Sequence, residues 1–208
     1  MPHPDALRWD NRYKEEVLDW LQRKPRQLLL DHAGLLPGAG LALDAAAGVS
    51  NNGRFLARRG LRVIALDISE VALRAAMQRA RREGFTLAAA VLDLSTPWLP
   101  DNYFDVILNF RFLERGTFPV YRSALKPGGL LFFETYVKKA SGLPDPDYYL
   151  NPGELHAAFR DFDIIYWEEV AVDTGQEEHG RAIARLVARK PQETSSFRTS
   201  QMATKTRP

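Results

Sequence analysis

No cysteine occurs anywhere in the 208 residues. Disulfides, thiolate metal sites and cysteine nucleophiles are therefore excluded, and the composition suits a reducing compartment. Long apolar runs are missing too. Nothing approaches the ~18 consecutive apolar residues of a membrane span, and the opening MPHPDALRWD has no apolar core of leader length. The expectation is a cytoplasmic protein with no membrane partner. Net charge is small, at +2, and Arg198, Lys205 and Arg207 set against Glu193 account for it. The body before residue 191 is neutral and offers no electrostatic case for nucleic acid. The histidines His3, His32, His156 and His179 show no metal-ligand spacing, so no metal is expected.

What is present is ordinary globular material, 45% hydrophobic and 26% charged, of a length for one domain. Residues 5–35 carry apolar spacing for one or two amphipathic helices interrupted at Pro25. Trp9, Arg12 and Tyr13 crowd this stretch, and it reads either as a helix packed on the sheet or as a lid over a ligand. From Leu41 strands and helices alternate. The strands are Leu41–Asp44, 62–67, 86–93, 104–110, 130–137, 163–172 and 181–190. Ser69 and Gly84 bracket a helix as N-cap and C-terminal stop, and Asn151 with Pro152 marks the start of another. Arg74, Arg79, Arg81 and Arg82 read as the solvated face of the 69–84 helix. The last two strands are joined only by a loop, which predicts an antiparallel hairpin at the sheet edge. The expectation is an α/β, three-layer sandwich around a mostly parallel, Rossmann-like seven-stranded sheet with its last strand antiparallel. Residues 1–190 form the domain and 191–208 a disordered tail.

The stretch LALDAAAGVSNNGRFLA (41–57) is a strand, a small-residue turn and a helix start, the arrangement that seats cofactors in open α/β sheets. Asp44 ends the first strand and Gly48 lies in the turn. Asp67 ends the second strand at about the 20-residue distance expected of an acid that holds ribose hydroxyls, and Asp93 ends the third. Carboxylates at three successive strand ends would each be costly to bury without donors, so their placement points to a polar ligand. An acid before the turn repels a pyrophosphate and suits a cofactor with a free ammonium.

These motifs, followed by VIALDIS, VLDL, FDVILNF and LKPGGLLFFETY, resemble class I S-adenosylmethionine (SAM)-dependent methyltransferases over residues 7–190. WDNRY, the two asparagines after the loop, NPGELHAAF and RLVARKP are most similar to the tellurite-resistance-type branch. The resemblance implies SAM as cofactor. Asp44 and the Ala46–Ser50 backbone would hold its methionine part, Asp67 with Ile68 the ribose, and Asp93 with Leu94 the adenine. Asn109 and Phe110 would flank the sulfonium under a lid bearing Trp9, Arg12 and Tyr13. Candidate catalytic positions are Asn109, Arg111, His179 and Arg181. The loop EEHGRA before the last strand either brings His179 and Arg181 to the pocket mouth, to hold an anionic acceptor with Arg111, or is exposed to solvent, and Glu134 either orients the acceptor or faces solvent. The family's G-x-G-x-G loop is here Ala46, Gly48 and Ser50. Ala46 is accommodated if its φ is negative, and Ser50 is free to donate to the ligand carboxylate. The implied function is methyl transfer to a small-molecule nucleophile such as a thiol or oxyanion, by a monomer or homodimer. The alternatives are a degenerate SAM-binding domain and a nicotinamide-dependent oxidoreductase, for which the loop lacks G-x-G-x-x-G.

Overall fold

A computed structural model of the chain describes residues 3–138, 148–172 and 181–192. Two helices open it, α1 (Pro4–Gln22) and α2 (Gln27–Asp31), separated by extended backbone at Arg23 and Arg26 that flanks Pro25. Strands and helices then alternate as β1 (Gly40–Ala45), α3 (Asn51–Arg58), β2 (Leu61–Asp67), α4 (Glu70–Glu83) and β3 (Leu87–Val91). They continue as β4 (Phe104–Phe110), α5 (Thr117–Ala124), β5 (Leu125–Val137), α6 (Glu154–Ala158), β6 (Asp163–Val172) and β7 (Arg181–Arg189).

The seven strands form one sheet in the order β3-β2-β1-β4-β5-β7-β6. The pairs within β3-β2-β1-β4-β5 are parallel, and β7 runs antiparallel to both β5 and β6. Strand alternation divides the core between two faces. On one, Leu43, Ile107, Leu131 and Phe133 pack with Phe118 and Tyr121 of α5 and with Phe159 just beyond α6. On the other, Ala42, Val106, Leu108 and Phe132 meet Leu28 and Leu29 of α2, Leu56 of α3 and Leu73 and Ala76 of α4. Both faces are covered, which is why the central strands read as continuous apolar runs.

Several boundaries differ from the sequence reading. β3 stops at Val91, so Asp93 lies beyond the strand rather than at its end. The edge strand has a partner on one side only, and its pairing with β2 ends at Asp67↔Val91. β5 starts at Leu125 instead of Leu130, because Lys126–Gly129 bulge between two paired stretches instead of forming a free turn. α6 is shorter than expected, with Gly153 at φ 75° as its N-cap. Asn151 instead stabilises the approach, its backbone N–H and side-chain amide both donating to Glu154 Oε2 at 2.8 and 3.1 Å. The α4 caps agree with expectation: Ser69 Oγ accepts from Ala72 N at 3.1 Å, and Gly84 adopts φ 77°. Among the described residues no helix is long and apolar enough to cross a membrane.

Candidate functional site

Strand order reverses between β1 and β4, so the crevice beyond their carboxyl ends is where an open α/β sheet binds ligands. Asp44, 1% exposed, stands at its floor. Its Oδ2 accepts both Ser50 Oγ–H at 2.7 Å and Gly53 N–H at 2.9 Å, and Oδ1 accepts nothing among the described residues. Burial pushes its pKa up to about 7, against the two hydrogen bonds and with help from the negative charge of Asp67. No described cation pairs with it. Asp67 is also buried and bridges two turns, accepting Gly48 N–H at 2.7 Å and Ser69 N–H at 2.8 Å. Desolvation raises its pKa while these backbone donors oppose the shift.

The loop between Asp44 and α3 corrects two expectations. Ala46, Gly48 and Ser50 have φ of 49°, 54° and 52°, so Ala46 is left-handed rather than negative. The chain keeps the backbone that glycines adopt without strain, at a cost of about 1–2 kcal/mol for each L-residue. Ser50 does not wait for a ligand, because its hydroxyl is already committed to Asp44. Gly53, not singled out in the sequence, is as constrained as Gly48. A Cβ there would lie 2.3 Å from Ser50 Oγ, 2.9 Å from Asp44 Oδ2 and 3.0 Å from Val63 Cγ1. Gly53→Ala is therefore expected to destabilise the fold by about 1–3 kcal/mol, measured as a lower Tm; an unchanged Tm would refute the tight packing under α3.

The remaining positions divide. Tyr13 is buried and its hydroxyl sits directly over Gly48, where an added Cβ would lie 2.3 Å away. Trp9 and Trp20 flank its ring at 5.9 and 5.2 Å. Arg12 is exposed, lies over Trp9 and Trp20 and meets Glu16 at 3.4 Å. α1 is tied across the crevice mouth by Asp10, whose Oδ1 accepts from Ser69 Oγ at 2.6 Å and Val71 N at 3.2 Å. The two asparagines after the loop anchor the same segment: Asn51 Nδ2 donates to Trp20 O at 2.8 Å, and Asn52 Oδ1 accepts from Arg26 N at 2.9 Å. Ile68 is half-buried next to Asp67. Asp93 lies at the rim, accepting Ser95 N–H at 2.9 Å with His3 Nε2 3.9 Å away. That backbone bond is the main reason its pKa falls below the usual value. Leu94 beside it is a core residue.

Asn109 is fully buried with both ends of its amide in use, donating to Phe112 O at 2.8 Å and accepting Tyr121 Oη–H at 3.1 Å. Its amide is thus held in one orientation at the end of β4. Phe110 packs in the α2-side core. Arg111 follows with φ 61°, its Nε 3.1 Å from Glu134 Oε1 and its guanidinium 4.6 Å over Tyr136. Glu134 does not face solvent: it is 2% exposed and also meets Arg185 Nε at 2.9 Å. The Glu134–Arg185 pair was missed because it is cross-strand, with no sequence spacing to reveal it. His179 lies outside the described residues, and Arg181 is described only as the first residue of β7. No group of three His, Asp or Glu suited to a metal occurs among the described residues.

A parallel sheet reversed at β1/β4, with an acid before a left-handed turn and a second acid at the end of β2, defines the fold of class I SAM-dependent methyltransferases. Residues 42–129 match the model of the methyltransferase domain family, and the fold is that of methyltransferases. TehB from Haemophilus influenzae shares 16% identity at TM-score 0.70, over 88% of this chain and 67% of its own. Geranyl diphosphate C-methyltransferase from Streptomyces coelicolor A3(2), solved with Mg2+, geranyl diphosphate and S-adenosyl-L-homocysteine, shares 14% at TM-score 0.66, over 79% and 78%. The [4+2]-cyclase SpnF shares 22% at TM-score 0.65, over 76% and 77%. At these identities the likeness is one of fold. No curated protein matches the chain by sequence.

Proposed function

We propose that the protein is a cytoplasmic methyltransferase that moves a methyl group from SAM to a small-molecule nucleophile. The observation that carries the reading is Asp44, a buried carboxylate with a free oxygen and no described cation, beside Gly48 and Asp67. An ammonium fits that oxygen and a pyrophosphate does not, since two buried acids would repel it. The residues present therefore suit SAM: Asp44 for the amino group, the Ala46–Ser50 backbone for the rest of the methionine part, Asp67 with Ile68 for the ribose hydroxyls. Asp93, followed by Leu94, stands at the rim for the adenine. SAM supplies a methyl already activated by its sulfonium. The protein's work is positioning and exclusion of water. Asn109 fixes the β4 end through Phe112 and Tyr121. α1, with Trp9 and Tyr13 facing the loop, is the lid, and Tyr13 must leave Gly48 when the cofactor enters.

Similarity to TehB, together with the tellurite-resistance-type motifs, supports small oxyanions and thiols as the first acceptors to test. Titration calorimetry with SAM, S-adenosylhomocysteine (SAH) and NAD is expected to show saturable binding of the first two only. An acceptor screen of thiols, selenite, tellurite and small phenols, read by SAH release, should then show turnover. Tight SAM binding without turnover would favour a degenerate domain, and NAD binding alone would sink the reading. The [4+2]-cyclase SpnF has a similar fold, and that is the reason turnover has to be measured.

A further inference from the structure

Arg111 and Arg185 meet Glu134 at the carboxyl ends of β4 and β5, Arg185 also meets Glu168, and Arg26 at the start of α2 lies within electrostatic reach of Arg111 and Glu134. Arg185 is fully paired, its Nε 2.9 Å from Glu134 and its Nη1 2.6 Å from Glu168. Glu134 then has one oxygen left, which faces Arg111 Nε at 3.1 Å. Those two atoms are buried and out of hydrogen-bond alignment, so charge alone holds them. The terminal nitrogens of Arg111 make no hydrogen bond among the described residues. Arg26 has neither a hydrogen bond nor an ion pair to its guanidinium among them. It is half-buried, and desolvation, followed by the positive charge of Arg111, lowers its pKa, with Glu134 opposing.

Arg26 and the terminal nitrogens of Arg111 are thus left without a hydrogen-bonded partner among the described residues. Arg26 is fixed by its backbone N–H on Asn52, in the first turn after the cofactor loop. Arg111 comes directly after Asn109 and Phe110, in a left-handed conformation at φ 61° closed by its backbone N–H on Glu134 O at 2.7 Å. Two neighbouring guanidiniums sharing half of one carboxylate are an unbalanced charge unless an anion completes the cluster.

Resting on the methyltransferase reading, we infer that Arg26 and Arg111 form the seat of an anionic group on the methyl acceptor, a carboxylate, phosphate or small oxyanion, with Glu134 and Tyr136 holding Arg111 in position. The cofactor's own carboxylate belongs at the β1 turn, whereas Arg111 follows the end of β4 and Glu134 stands on β5. Arg26 binds where these meet, orienting the acceptor toward the methyl group.

The test is calorimetric titration of the full chain with phosphate, acetate and selenite at constant ionic strength, with and without SAH. At least one probe is expected to bind saturably to the wild type. Its affinity should fall about tenfold or more in Arg26→Gln and in Arg111→Gln, with SAH affinity held within twofold. Arg26 has no described side-chain partner, so Arg26→Gln is expected to fold and decides the matter even if Arg111→Gln does not. Absence of saturable probe binding, or equal binding in Arg26→Gln, overturns the inference. So does loss of SAH rather than probe binding, which would assign the arginines to the cofactor's carboxylate. A wild type that binds the probe but not SAH keeps the anion seat and removes the methyltransferase reading instead.

Discussion

Asp44→Asn is expected to raise Tm at pH 8 while weakening SAM at least tenfold. The two effects share one cause. The folded carboxyl has its pKa pushed up to about 7 by burial, from an ordinary value of 3.8. The folded state therefore holds a proton that the unfolded state has released between pH ~4 and ~7, and stability falls as pH rises through that window. Above pH 7 the full penalty stands, about 4 kcal/mol at about 1.4 kcal/mol per unit. Asparagine keeps an oxygen for Ser50 Oγ–H and Gly53 N–H and carries no charge to desolvate. Its Tm gain should shrink toward pH 4, where the wild-type carboxyl is neutral in both states. Asparagine cannot balance an ammonium, however, and the wild-type affinity for SAM should increase between pH 6 and 8 as Asp44 ionises. A variant that binds SAM as tightly as the wild type, with the same pH profile, would remove Asp44 from the methionine seat.

Asp67→Ala should weaken SAM at least tenfold and also lower Tm. The carboxylate accepts Gly48 N–H through Oδ2 and Ser69 N–H through Oδ1, joining the β1–α3 turn to the start of α4. Alanine leaves both donors without acceptors, at a cost of about 1–3 kcal/mol each if they stay dry. Asparagine is no remedy, since its amide would face one of the two N–H groups. To separate ribose binding from turn distortion, affinity is measured for SAH and for its 2′,3′-dideoxy analogue, as in a double-mutant cycle. The deficit of Asp67→Ala should largely vanish with the dideoxy compound. An equal deficit for both would reduce Asp67 to a structural brace.

Much of the fold was legible because it rests on local patterns. The β4 strand Phe104–Phe110 and the α4 helix between Ser69 and Gly84 stand where apolar runs and capping residues put them. Burial on both faces left the central strands no polar alternation to confuse the reading. Where a boundary depended on a neighbour, the sequence was silent. β3 ends with its only partner, and β5 lengthens because a bulge lets Leu125 pair with Phe104.

The candidate site divides the same way. Asp44, Gly48 and Asp67 could be read from their places at strand ends and in a small-residue turn. Backbone conformation could not: Ala46 and Ser50 look like departures from a glycine pattern yet adopt the left-handed geometry of glycine. Nor could the fate of polar side chains, such as the Ser50 hydroxyl committed to Asp44 or the Asn109 amide consumed by Phe112 and Tyr121.

The sequence by itself determined the order of elements, the two-sided core and the acids around the first turn, because each follows from periodicity and chain-neighbour chemistry. Only the tertiary structure decided that Tyr13 covers Gly48, and that Arg111, Glu134 and Arg185 meet across β4, β5 and β7 with Arg26 in electrostatic reach. Those groups are far apart along the chain, and only the sheet register brings their charges together.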